Sequence, residues 1–207
     1  MTAFLAILFS YLLGSISFSY VIAKKLRQVD IRQHGSGNAG ATNTLRVLGV
    51  GPAITVLLLD CGKGVAAVYL GLWFTDGNSL IAATSGLAAI AGHNWPIYYG
   101  FRGGKGVATT IGVLATLIFY VALIAGIVAI LSIVITRYVS LGSIIFMVGS
   151  TILTIFFWDF FNYPTYYIYF ILVITLFSLW RHRSNIVRLV KGNESKIGAK
   201  KNTEKGG

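Results

Sequence analysis

The chain has 207 residues, with 17 Lys and Arg against 6 Asp and Glu, for a net charge of +11. Hydrophobic residues make up 56 % of it and charged residues only 11 %, where a soluble domain carries about 25 %. That is too little charge to cover a globule of this size in water. A soluble enzyme and a disordered chain are both excluded, and an integral membrane protein is indicated.

Long apolar runs set the expected elements, since a spanning helix needs about 20 mostly apolar residues. In chain order the runs predict spans at 3–23, 53–74, 79–95, 107–120, 122–136, 139–157 and 164–181. The N-terminal Met1, Thr2, Ala3 and Phe4 offer neither a basic region nor a cleavage site, so the first run is expected to stay as a span. Small residues at four-residue spacing within it, Ser10 with Gly14 and Ser15 with Ser19, suit close helix contact. The block 107–136 would be about 45 Å long as one helix, against a bilayer core of ~30 Å. By length it is one tilted helix or two short ones; two crossings are expected from charge parity, although no Gly or Pro marks a turn near residues 119–121.

Charge parity supports that split. Basic residues fall in the 24–46 loop (Lys24, Lys25, Arg27, Arg32, Arg46), the 95–107 loop (Arg102, Lys105), at Arg137 and from Arg181 onward. The links 75–78 and 158–163 hold Asp76 and Asp159 and no Lys or Arg. Placing every basic segment in the cytoplasm predicts an all-α bundle of about seven spans, with the N-terminus outside and the C-terminus inside. Aromatics around 158–167 and at Trp73 and Phe74 suit an interfacial belt or plain packing. The chain reads as one transmembrane domain over 1–198, followed by a basic, disordered tail over 199–207. The single Cys61 excludes an intrachain disulfide and a Cys-based zinc site.

Three polar segments carry the chemical information. The first, His34 through Arg46, contains Gly35, Gly37 and Gly40 in a GxGxxG spacing. No strand precedes it, so a dinucleotide fold is not indicated. Its glycines let backbone N–H groups turn inward as an anion nest; Ser36, Asn38, Thr42 and Asn43 add neutral polar groups, and Arg46 adds a planar fork. A flexible turn between helices is the alternative. The second segment runs from His93 to Thr109. Gly103, Gly104, Lys105 and Gly106 precede a helix, bringing amides, a helix N-terminus and an ammonium together for phosphate. The alternative is a glycine hinge with a snorkelling lysine. Tyr99 and Gly106 stand where an ATP-type P-loop needs Gly and Ser or Thr. The third, Arg181 to Lys196, puts Ile186, Leu189 and Val190 on one face, as an amphipathic surface helix does. Asp60 and Lys63, three apart within a predicted span, form a self-neutralising pair or a support for the polar site.

Together and in this order, these segments resemble the bacterial integral-membrane glycerol-3-phosphate acyltransferases that use acyl phosphate, the PlsY family. The matching residues are Gly35-Ser36-Gly37-Asn38 with Ala41-Thr42-Asn43 and Arg46, then His93 and Gly103-Gly104-Lys105-Gly106-Val107-Ala108-Thr109. They continue with His182-Arg183, Asn185-Ile186, Arg188-Leu189, Gly192 and Glu194, and Asp60-x-x-Lys63-Gly64 is a further family-like element. The family often has Pro where this chain has Ser17 and Ala39, changes that remove no functional group.

The resemblance implies transfer of an acyl group from acyl phosphate to the sn-1 hydroxyl of glycerol 3-phosphate in the bacterial cell membrane, with the site facing the cytoplasm. By similarity, Ser36 and Arg46 grip a phosphate, residues 103–106 form a phosphate loop, and His182 with Asn185 positions the glycerol. His93 belongs to the same binding set, while Glu194, Asp60 and Lys63 support it. Lys105, His182, Ser36 and Arg46 are the candidate catalytic groups. No His-x-x-x-x-Asp dyad is present, because positions 39, 98 and 187 hold Ala, Tyr and Val. Either the phosphate of the donor or a histidine, His93 or His182, is then the proton acceptor. No cofactor or metal is expected with so few carboxylates in the loops, and no nucleic-acid partner. The alternative function is a transporter or channel for an anionic solute.

Overall fold

In the computed structural model, residues 1–198 are described, and they form helices with no strand among them. The expected tail at 199–207 lies outside the described residues. The α-helices are α1 (Thr2–Gly14), α2 (Phe18–Arg27), α3 (Ala41–Leu48), α4 (Val50–Phe74), α5 (Ser79–Asn94), α6 (Val107–Leu117), α7 (Phe119–Thr136), α8 (Val139–Phe157) and α9 (Tyr167–Val190). Four stretches are long and apolar enough to cross a bilayer by length and composition: Thr2–Arg27 counted across its break, Val50–Phe74, Phe119–Thr136 and Val139–Phe157.

Small residues let the helices approach. Gly14 lies against Ala89, and Ser10 Oγ donates to the Ala67 carbonyl at 3.4 Å, joining α1 to α5 and α4. Gly64 lies so close to the Thr109 carbonyl that a Cβ there would collide with it, which seats α4 on α6. Ala122, Ala125 and Ala129 turn the same face of α7 toward α8, where Phe146 and Met147 are buried. The opposite face of α7, with Ile127, Ile130, Leu131 and Val134, is exposed as a lipid-facing surface requires.

Contacts fix which helix ends share a side. Lys105, ahead of α6, meets Asn185 on α9, whereas Leu117 and Ile118, at the other end of α6, meet Tyr167 and Phe170. Helix α7 starts with the Tyr120 N–H donating to Tyr163 Oη at 3.3 Å and ends with Arg137 donating to the Ile197 carbonyl at 2.9 Å. The chain therefore doubles back at Ile118, in agreement with the expected division of 107–136. One end of the bundle gathers the loops at 28–40 and 95–106 and the C-terminal part of α9; the other holds Asp76 and Asp159.

Two expectations need correction. The run 3–23 is not one helix, because it breaks at residues 15–17 between α1 and α2. A break inside an apolar layer needs partners for its freed carbonyls, and Lys63 Nζ donates to the Ile16 carbonyl at 2.7 Å. The amphipathic surface helix after residue 181 is not a separate element either, since α9 continues unbroken from Tyr167 to Val190. Its inward stripe there is polar, with His182 and Asn185 buried, while Val190 is exposed.

Candidate active site

The first loop is shaped by internal hydrogen bonds. Gly35 and Gly37 adopt left-handed backbone (φ 63° and 73°), which curls residues 34–37 over the start of α3. Asn43 holds the curl: its Nδ2 donates to the carbonyls of Ile31 (3.1 Å) and His34 (2.9 Å), and its Oδ1 accepts from the Ser36 N–H at 2.7 Å. Asn43 is only 1 % exposed. Expected as a polar group for a ligand, it instead spends its whole amide on the backbone of the loop. Ser36, Gly35 and Gly37 lie exposed on the rim, as does Arg46, with Asn38 and Thr42 half-buried beside them.

The first loop is keyed to the second. Arg32 forks onto Asp30 (Nη2 to Oδ2 2.8 Å) and sends Nη1 to the Tyr99 carbonyl at 2.9 Å. Beyond it, Gly104 fits where the Ala39 carbonyl and His93 Nε2 converge, and a Cβ on Gly104 would strike both. Arg181 then clamps the second loop from behind, with Nε donating to the Gly104 carbonyl and Nη2 to the Gly103 carbonyl, both at 2.8 Å. With those carbonyls turned toward Arg181, the loop leads into α6, whose start at Gly106 has no side-chain cap. Helix α3 likewise starts uncapped at Gly40. Uncapped helix starts present free N–H groups and the positive end of the helix dipole, which favours an anion.

Cations and hydrogen-bonding groups from α9 complete the wall. Lys105 Nζ donates to Asn185 Oδ1. Asn185 Nδ2 donates to Glu194 Oε1 at 2.6 Å, Ser140 Oγ donates to the same oxygen at 2.7 Å, and Arg188 Nε donates to Oε2 at 2.7 Å. Burial pushes the Glu194 carboxyl up, but these three hydrogen bonds outweigh it and hold it below the usual range. Burial is also the largest influence on Lys105. Glu194 supports its charge while Arg188, Arg46 and Arg181 oppose it, and its pKa falls to about 8. His182, 1 % exposed, has Nδ1 2.8 Å from the Ser178 carbonyl. A carbonyl only accepts, so Nδ1 carries the proton and Nε2 is left with a lone pair.

A second polar cluster lies inside the bundle, beneath the glycine loop. Lys63 Nζ is 2.7 Å from the Ile16 carbonyl, 2.8 Å from Asp60 Oδ1 and 3.0 Å from His93 Nδ1, with the Phe18 ring centroid 5.6 Å away. His93 was expected in the binding wall; it is 6 % exposed and stands behind Gly104. Among the described residues no group of three or more His, Cys, Asp or Glu is arranged to hold a metal.

Sequence reasoning missed several working residues. Arg181 read as one more basic residue at a helix end, and nothing local distinguished its fork from a snorkelling cation. Ser140 gave no signal, because its partner Glu194 is 54 residues away. Asn94 is fully buried beside Gly106, and its amide has no hydrogen-bond partner among the described residues.

The fold and site define a polytopic membrane protein with a cationic, glycine-lined cluster at one end of its bundle. The glycerol-3-phosphate acyltransferase family model matches residues 4–192. A glycerol-3-phosphate acyltransferase of Halalkalibacterium halodurans is 63 % identical over 200 residues, covering 96 % of this chain and 97 % of that one. Another, from Shouchella clausii, is 63 % identical over 195 residues, covering 94 % and 95 %. The crystal structure of PlsY (YgiH), an integral membrane glycerol 3-phosphate acyltransferase, in its glycerol 3-phosphate form superposes with a TM-score of 0.87 at 39 % identity, covering 96 % of each chain. Its lysophosphatidic acid form gives 0.85 at 37 % identity, also covering 96 % of each. The chain belongs to the glycerol-3-phosphate acyltransferase family, in agreement with the resemblance to PlsY. It is an acyltransferase, which sets aside the transporter reading.

Proposed function

We propose that this enzyme transfers the acyl group of an acyl phosphate to the sn-1 hydroxyl of glycerol 3-phosphate, giving lysophosphatidic acid and inorganic phosphate. The hydroxyl oxygen forms the new ester bond to the acyl carbon, the bond from that carbon to the phosphate oxygen breaks, and the hydroxyl proton leaves on phosphate. The observation that carries the reading is the convergence of Lys105, Asn185 and Arg181 on a glycine loop that is itself keyed to the first loop at Ala39. Two phosphorylated substrates need two sets of anion contacts. Residues 35–40 with Arg46 form one, and residues 103–106 at the start of α6 with Lys105 form the other.

Glycerol 3-phosphate and acyl phosphate are the substrates in this account, and membrane lipid surrounds the apolar faces that receive the acyl chain. Ser36 and Arg46 hold a phosphate, while His182 and Asn185 position the glycerol. Acyl phosphate is already activated, so the site has mainly to orient the hydroxyl and stabilise charge developing on the leaving phosphate. Lys105, Arg46 and the amides around 104–107 do that. For the proton, the donor's own phosphate oxygen is the acceptor; a histidine is the alternative, and there His182, whose Nδ1–H is engaged by the Ser178 carbonyl, has Nε2 free as a lone pair. His93 Nδ1 is engaged by Lys63. Residues 1–198 act as one catalytic domain in a bacterial cell membrane, with seven crossings, the N-terminus outside and the loops in the cytoplasm. The charge difference between the two ends of the bundle supports that orientation.

The test is an assay on purified enzyme in proteoliposomes given acyl phosphate and glycerol 3-phosphate. Lysophosphatidic acid and phosphate are expected to form one for one. Acylation from another thioester or anhydride donor, with none from acyl phosphate, contradicts the proposal.

A further inference from the structure

The cluster beneath the glycine loop has a proton arrangement that its geometry dictates. An ammonium carries three N–H donors. Lys63 Nζ hydrogen-bonds the Ile16 carbonyl (2.7 Å) and His93 Nδ1 (3.0 Å) and forms an ion pair with Asp60 Oδ1 at 2.8 Å. The His93 Nδ1 to Asp60 Oδ1 distance of 3.6 Å is too long for a hydrogen bond between them. The shared proton therefore belongs to Lys63, His93 Nδ1 is a lone pair, and the ring's own hydrogen is on Nε2. Lys63 and Asp60 cancel each other's charge, so the imidazole can stay neutral in an apolar layer where their side chains are 1 % and 2 % exposed. Nε2 lies at the seam where Gly104 meets the Ala39 carbonyl, and among the described residues nothing accepts from it.

We propose that Lys63, held by Asp60 and by the broken first span at Ile16, is a positioning residue that fixes His93 in its Nε2–H form, so that the ring presents a neutral donor, not a lone pair, beside Gly104 at the junction of the two glycine loops. The inference rests on the acyltransferase reading for its substrate, a phosphate oxygen of either ligand, but not for the proton arrangement. The same ammonium joins the break between α1 and α2 to the floor of the cradle. That supplies a physical reason for burying an ion pair at this depth: a positively charged His93 would be costly there, and a His93 with its hydrogen on Nδ1 would point a lone pair at the incoming anion.

Nitrogen-15 NMR of histidine-labelled enzyme in detergent reads the tautomer directly, without reference to catalysis. Of the three histidines, His34 is removed by His34→Gln and His182 is assigned by its own substitution. The expected spectrum for His93 is a neutral ring protonated on Nε2. In the Lys63→Met/Asp60→Asn protein, which leaves no unpaired buried charge, that preference is lost. A ring protonated on Nδ1 in the wild type overturns the proposal whatever the enzyme catalyses.

Kinetics add the link to substrate. His93→Gln keeps a donor near the Nε2 position without needing Lys63. Exchanging the Lys63/Asp60 pair is expected to lower kcat/KM for phosphorylated substrate by roughly ten- to a hundredfold in the wild type, and by less than about threefold in the His93→Gln background. Equal losses in both backgrounds would mean that the pair only stabilises the fold, and would sink the claim.

Discussion

Lys105 keeps its charge in a place that works against it, half-buried and faced by Arg46, Arg181 and Arg188 with Glu194 as its main support. The sign of the pH effect follows. The charged form prevails below about 8 and is lost above it. In the wild type, kcat/KM for glycerol 3-phosphate is expected to fall as pH rises past that value, while Lys105→Arg moves the decline beyond the measurable range. A pH profile that Lys105→Arg leaves in place would assign the inflection to another group. Lys105→Met removes the charge outright and is expected to lower kcat/KM by more than about a hundredfold, measured in the same assay. Glu194 acts through others, since it orients Asn185 and Arg188 and touches the cradle only by way of them. Its folded pKa is depressed, so its contribution to stability is complete above the ordinary carboxylate range and disappears as pH drops through the folded value. Glu194→Gln is expected to lose roughly tenfold in kcat/KM and to flatten the acid side of a thermal-unfolding series. At this scale the sequence marked most of the candidate residues that the fold brings together, because Gly, Lys, Arg and His between apolar runs are conspicuous. It misjudged direction: Asn43 looked like a donor for ligand and turned out to be spent on the loop backbone, a distinction made only by where Ile31 and His34 lie in space.

Helix ends, more than helix bodies, shape the cradle. The bodies are the part that hydropathy predicts, because burying backbone polar groups in lipid requires helices. The interruptions are a different matter. The break at residues 15–17 is stabilised by Lys63 reaching Ile16 from 47 positions away, and the reversal at Ile118 is supported by Tyr163 accepting from Tyr120 and by Tyr120 stacking on Phe161. No local signal marks either place, so charge parity alone pointed to the reversal and nothing pointed to the break. The second loop follows the same logic, since Arg181 holds two of its carbonyls and His93 limits the space at Gly104. Gly104→Ala is therefore expected to displace the loop and cost more than tenfold in kcat/KM with little change in the helical circular dichroism spectrum. Arg181→Met, which leaves both carbonyls unpaired, should do the same and add a loss of thermal stability of about 1–3 kcal/mol.

On the scale of the whole molecule the bundle is polarised. The basic loops, the uncapped starts of α3 and α6 and the polar stripe of α9 share one end, while Asp76 and Asp159 occupy the other. An enzyme that joins a fatty chain to a water-soluble phosphate gains from that arrangement if, as proposed, its cradle borders both the lipid and the aqueous phase. The +11 charge serves the same end by concentrating anionic substrates near the loops. Residues 199–207 add Lys200, Lys201 and Lys205 to that field without joining the proposed machinery. A chain ending at Gly198 is expected to turn over within about twofold of the full chain at 0.15 M salt, where the reach of such charges is ~8 Å. A single shared cradle is the central claim, and the structure of this enzyme with glycerol 3-phosphate bound tests it most directly. The expected result is one ligand with its phosphate within hydrogen-bond reach of Arg46 or Lys105 and its hydroxyls beside His182 and Asn185. A ligand seated at the Asp76 and Asp159 end, or in a crevice that touches none of these residues, would contradict it.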